Sequence, residues 1–315
     1  MQDLRIYDFK FNLLAVENKV ISSNWQLYFN AIGKAEIHLS RKAESIPLIF
    51  DNKYLFITQG EKQAVVTAKQ IGKDCVIYGR TPDWLLTRRI LTPQDVITGN
   101  AETVIRNLVK NQGFETDTFF KLGNLAGITD ETEIKINAIS VLEDVVTDTL
   151  SKCKAGRRMY LDIPNKKWVF ELLKGKENSL VISESALNAY STEYVFDLNN
   201  YFTEGFYNKE GESKLAIYRV RPEEKSGVYR WETLLKSLYS EDARTEMRGY
   251  KIEEELSVKV KNLTFGKDYN LGDIVTVSID TESLKRTKKY RIIGLELWKE
   301  QGDAGERPIF EETEE

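Results

Sequence analysis

Apolar and polar residues alternate over most of the first 78 positions. Trp25, Leu27 and Phe29 interleave with Gln26, Tyr28 and Asn30, and Ala35, Ile37 and Leu39 with Glu36, His38 and Ser40. A period of two sends one set to a buried face and the other to solvent, so these segments predict half-buried strands. Asp51-Asn52-Lys53 and Gln59-Gly60-Glu61-Lys62 supply turns between the apolar runs. Many short strands with frequent turns predict a small barrel or sandwich. Thr81-Pro82 then opens a short helical stretch through Trp84 to Arg88, with proline at the first helical position.

Near residue 100 the period lengthens. Asn100 is placed to cap a helix whose Ala101, Val104, Ile105, Leu108 and Val109 share one face, and Gly113 ends it. Ser140 and Glu143 have the spacing of a capping box for a second helix, with Leu142, Val145, Val146 and Leu150 as its buried stripe. Residues 158–163 and 167–173 predict a hairpin across Pro164-Asn165, which completes an α/β unit at 98–182. Strands return at 190–207, 214–220 and 227–231, a helix is expected at 240–253, and Leu256, Val258 and Val260 alternate after it. Asn270 and Gly272 are turn residues that tolerate positive φ, and Val275, Val277 and Ile279 then form one face of a strand. The predicted class is α+β, mainly β.

Composition adds limits. The chain has 315 residues, 41% of them hydrophobic, which suits two or three domains with a true core. With 45 basic against 49 acidic residues and a net charge of −4, the electrostatic basis of general nucleic-acid binding is missing. Cys75 and Cys153 stand far apart, outside any metal-ligand spacing, and predict reduced thiols rather than a zinc site or disulfide framework. His38 is the one histidine, so a His-containing triad has a single candidate and a multi-His metal site none; no cofactor is expected. The N-terminus lacks a leader pattern and no run approaches a membrane span, which predicts synthesis in the cytoplasm without membrane insertion. Glu143-Asp144 is a candidate carboxylate pair, although a helix start explains both residues. Trp25, Trp168, Trp231 and Trp298 fall within strand-like alternation and are expected in the core. The basic run at 285–291 reads as a hairpin, with nucleic-acid or subunit contact as the alternative, and the acidic stretch 301–315 as a flexible, solvated end, with Pro308-Ile309-Phe310 as a docking segment the alternative.

Three segments together resemble the tail hub proteins of phages: Gly72 to Trp84, the Tyr229-Arg230-Trp231-Glu232 run, and Asp268-Tyr269-Asn270-Leu271-Gly272-Asp273 with the strand to Val277, answered by Tyr290 to Trp298. Ile71-Gly72-Lys73-Asp74 is echoed by Phe265-Gly266-Lys267-Asp268. The resemblance implies a baseplate or tail hub of contractile-tailed phages, phage-tail-like bacteriocins or long flexible-tailed phages. It further implies two tube-like β-barrel domains, at 1–97 and 183–300, flanking the α/β domain at 98–182, with the acidic tail at 301–315. Three copies would form a ring adapting a six-fold tail tube to a three-fold spike or tip. The implied partners are two further copies of the chain, the tube protein, the spike or tip protein and the tape-measure protein, within a virion or tail-like particle. The channel-facing surface of that ring, not a cleft, would be the functional site. The 315 residues carry no peptidase, lysozyme or fibrous extension, so no cell-wall hydrolysis is expected. A carboxylate-dependent glycan hydrolase and a carbohydrate-binding tail module remain as the alternative classes.

Overall fold

Strand alternation becomes burial directly in the computed structural model, which describes residues 3–136, 139–209, 217–221, 223, 225–280, 285–300 and 302–313. In the Lys34–Leu39 strand, Ala35, Ile37 and Leu39 are buried while Lys34 and Glu36 face solvent. Ile37 and Leu39 join Leu4, Ile6, Trp25, Leu55, Ile57 and Ile77 in one apolar cluster. Each such side chain stabilises the fold by about 1.5–3 kcal/mol on full burial. The Trp25 indole N–H is satisfied inside this cluster by the Gln59 side-chain oxygen at 3.0 Å.

The chain falls into two compact units, residues 1–192 with 257–315, and residues 193–256. In the first unit the strands run side by side in the order Asp303–Glu312, Lys285–Glu300, Val20–Tyr28, Lys34–Leu39, Cys75–Arg80, Lys62–Ile71, Leu55–Gln59, Leu4–Asp8 and Leu13–Glu17. The class is mainly β with few helices, as the periodicity predicts. Among the described residues the strands close no barrel. The long Lys285–Glu300 strand pairs antiparallel with Ile274–Asp280 through its first half and with Val20–Tyr28 through its second. N-terminal and C-terminal strands therefore share one sheet. Glu177–Ser183 adds a parallel partner to Ile274–Asp280.

The acidic end is corrected by this sheet. Asp303–Glu312 is a strand paired along Lys285–Glu300, with Phe310 only 1% exposed and packed edge-on to Tyr290. Only its end meets the basic run: Glu311 stands opposite Arg291, and Glu312 contacts Arg286 at 3.2 Å and also Lys288. An acidic end and a basic run that each look solvated alone offset one another where the two strands meet. Gln301, Glu314 and Glu315 lie outside the described residues.

The helices form as the 3.6-residue period requires. Ala101–Leu108 starts at Asn100, whose side chain accepts from the Thr103 N–H at 3.1 Å, and its buried residues include Ala101, Val104, Ile105 and Leu108. Leu142–Lys152 buries Leu142, Val146 and Leu150. Gly156–Asp162 and Lys167–Leu173 make the antiparallel hairpin, and Phe120–Leu122 runs parallel to its second strand. This α/β part packs on the N-terminal strands through aromatic rings. Trp168 meets Phe9, Phe11 and Phe56 at centroid distances of 5.2, 5.5 and 5.4 Å, all edge-on. Such pairs add about 0.5–1.5 kcal/mol each beyond burial. No described helix is long and apolar enough to cross a membrane.

The second unit has the strands Glu204–Asn208, Ile217–Val220 and Glu232–Leu234 and the helix Ser240–Gly249 around Tyr207, Leu235, Ala243 and Met247. The expected strand at 214–220 begins in residues outside those described. The expected strand at 227–231 is instead the 3-10 turn Gly227–Tyr229, because Gly227 takes φ +58° and breaks the extended run. Trp231, expected in the core, is 39% exposed as a consequence. Glu204 is buried among Arg221, Arg230 and Arg219 at 3.0, 2.5 and 3.3 Å. Burial opposes ionisation, yet those guanidinium groups hold its carboxyl below the usual carboxylate range.

Candidate functional surface

Directly opposed residues of antiparallel strands share a face, so the register defines what the sheet shows to solvent. One row across five strands reads Arg80, Lys34, Gln26, Glu296 and Arg307. The next reads Tyr78, Glu36, Asn24, Trp298 and Gly305. At a strand spacing near 4.8 Å each row spans roughly 19 Å. The opposite face holds Val66, Gly79, Ala35 and Trp25, all buried. The outer face is tied together by the Asn24 amide donating to Glu296 at 2.9 Å and by the Arg307–Glu296 ion pair. Trp298 lies here rather than in the core: its ring covers Gly305, where a Cβ would come within 2.3 Å, and its N–H donates to Asp303 at 3.0 Å. A groove of about 390 Å³ crosses the face, lined by Asn24, Gln26, Lys34, Glu36, Thr67, Tyr78 and Arg80 among others.

His38 stands on the same outer face, with Nδ1 2.5 Å from the Asp74 carboxylate and Nε2 2.8 Å from that of Glu36. Both ring nitrogens face carboxylates, which hold the ring against the sheet surface. Burial opposes the charged ring, but the bonds to Glu36 and Asp74 raise its pKa above the ordinary imidazole value. Burial pushes the Cys75 and Cys153 thiols up. Among the described residues no three His, Cys, Asp or Glu side chains converge as a metal site.

The turn carrying Asn270 and Gly272 meets this sheet at Phe29. The Asp273 N–H donates to the Asn270 carbonyl at 3.2 Å, the Gly272 N–H to the Ile292 carbonyl at 2.7 Å, and Gly272 takes φ +87°. A Cβ on Gly272 would sit 2.2 Å from the Phe29 ring, and one on Gly156 2.4 Å from it. The Phe29 carbonyl accepts from the Arg157 N–H at 2.8 Å. Phe29 is thus the wedge between the N-terminal strands, the hairpin and the C-terminal turn.

Arg157 is the buried charge of this junction, 1% exposed. Its Nη1 donates to Asn30 at 3.0 Å and Thr147 at 2.5 Å, its Nη2 pairs with Glu143, and its Nε lies 3.7 Å from Asp83. Burial drives the Asp83 carboxyl upward, with Arg157 opposing it. Glu143 therefore serves Arg157 rather than a capping box. The helix begins at Leu142 with Val141 in the N-cap position and no side-chain cap, while Ser140 sits in the short strand Ser140–Val141 opposite Leu91. That pairing holds Ser140 extended, one residue too early to cap. Asp144 is exposed, so Glu143 and Asp144 do not converge on a cleft. The Gly72 and Gly266 echo does not extend to conformation: Gly266 takes φ +84°, whereas Gly72 is outside the left-handed region. Asp74 contacts His38, while Asp268 accepts from the Thr264 N–H.

The fold is shared with phage tail proteins. A tail protein from Neisseria meningitidis MC58 superposes with a TM-score of 0.62 at 11% identity, covering 99% of this chain and 96% of that one. The 43 kDa tail protein of prophage MuSo2 from Shewanella oneidensis gives 0.58 at 10% identity, covering 99% and 97%. Prophage tail protein gp18 from Listeria monocytogenes EGD-e gives 0.54 at 14% identity, covering 99% and 95%. Comparison with curated proteins found no match. The family model for siphovirus ReqiPepy6 Gp37-like proteins matches residues 3–203, and the chain belongs to that tail protein family.

Proposed function

We propose that this chain is a structural hub of a phage tail or baseplate, three copies of which close into a ring. Each copy contributes two β regions, residues 1–97 and 183–300, as its tube-like domains, with residues 98–182 between them. Two similar domains per copy turn three-fold symmetry into near six-fold order, matching a tail tube on one side and a three-fold spike or tip on the other. Its role is assembly within the particle rather than catalysis, and the surface facing the ring's channel, in reach of a tape-measure protein, is where it acts.

The observation that carries this reading is the pairing of Val20–Tyr28 with Lys285–Glu300. It welds strands of both β regions into one sheet, and Phe29 and the Arg157 network fix the intervening hairpin against it. An adapter must hold its two halves at a set angle, which a flexible link cannot do. Electron cryomicroscopy of the assembled tail tests the proposal. Three copies per tail, each with two superposable β regions, are expected; six copies, or two β regions that do not superpose, overturn it.

A further inference from the structure

One pair on the outer sheet face is unfavourable for the isolated chain. Lys34 and Arg80 stand directly opposite each other on neighbouring strands. Like charges in that position are about 4.5–5.5 Å apart at Cβ and repel. Neither has an acidic partner among the described residues. The closest carboxylate along the strand, Glu36, is bonded to His38. The backbone beneath the pair is held in place: the Gly33 N–H donates to the Thr81 hydroxyl at 2.7 Å, and the Thr81 N–H to the Gly33 carbonyl at 3.2 Å. A Cβ on Gly33 would come within 2.3 Å of the Gln26 carbonyl, so this end of the Lys34–Leu39 strand also packs closely on the Val20–Tyr28 strand. Two uncompensated cations are thus presented on a rigid support, on the wall of the groove of about 390 Å³.

We propose that this groove is a docking site for an acidic segment of a protein partner, one Asp or Glu carboxylate of which lies between Lys34 and Arg80. A carboxylate offers both cations one acceptor group and converts the repulsion into two charge-assisted hydrogen bonds. Gln26, Thr67 and Tyr78 supply polar contacts for the groups beside it. A nucleic-acid strand fits less well, because its regular phosphates call for a track of cations and this face also carries Glu36 and Glu296. The site stands apart from the ring reading and does not need it.

The test uses the full chain and a fluorescein-labelled hexaglutamate peptide, followed by anisotropy at low salt. At a net charge of −4 the chain repels such a peptide in general, so binding reports a local site. Saturable binding is expected, weakened about tenfold or more in the Lys34→Gln/Arg80→Gln double variant. The variant should melt close to the wild-type temperature, since relief of the like-charge repulsion offsets the stem packing lost from half-buried Arg80. Absence of binding, binding indifferent to the two substitutions, tighter binding of labelled oligothymidylate through the same residues, or a lowered melting temperature each overturns the proposal.

Discussion

Replacing Gly272 with alanine perturbs two things at once. The residue holds φ +87°, where an L-residue with a Cβ pays about 1–2 kcal/mol. The added carbon would also lie 2.2 Å from the Phe29 ring, and Phe29 has Gly156 behind it and so cannot retreat. Overpacking of that kind costs about 1–3 kcal/mol. Together the loss is about 2–5 kcal/mol, a large share of a total stability of about 5–15 kcal/mol. Valine, with its branched Cβ, should exceed the upper end and leave little soluble protein. Urea denaturation followed by tryptophan fluorescence and far-UV dichroism measures the shift. Gly272→Ala combined with Phe29→Ala separates the terms: the ring-dependent part should vanish in the double variant, leaving a coupling of about 1–3 kcal/mol between the sites. An unchanged midpoint for Gly272→Ala would refute the turn's role, and additive effects would refute the wedge.

Arg157→Met leaves buried Asp83 and half-buried Glu143 without their cation, and a loss of about 3–5 kcal/mol is expected in the same denaturation assay; a neutral substitution would show that the network contributes nothing net. His38 gives a pH signature with a definite sign. Because Glu36 and Asp74 raise its folded-state pKa, its contribution is fully present below the unfolded value near 6.5 and lost as pH rises through the raised value. The melting-temperature gap between wild type and His38→Gln should therefore be widest on the acidic side of that window and narrow above it, and a gap growing with pH would contradict the assignment.

Some of this architecture was written in local pattern. The alternation of Ala35, Ile37 and Leu39, the helix face from Ala101 to Leu108, the cap at Asn100 and the turn at Gly272 depend on each residue's own dihedral preferences and on neighbours a few positions away. What the periodicity could not show was which strand lies beside which. Pairing of Val20–Tyr28 with Lys285–Glu300 joins positions more than 260 residues apart, and an edge strand carries the same pattern whether or not it has a neighbour. The acidic end failed for the same reason: Glu312 looks solvated until its strand pairs beside Tyr290 and brings it into contact with Arg286 and Lys288. Ser140 failed because its extended pairing with Leu91 overrides a spacing that suits a capping box. One long-range feature did leave a trace, since Arg157 falls in the buried phase of a strand with Met159 and Leu161. A charge in an apolar phase demands partners, but only the tertiary structure could supply Glu143, Asn30 and Asp83, because burial of a charge is decided by what surrounds it in space.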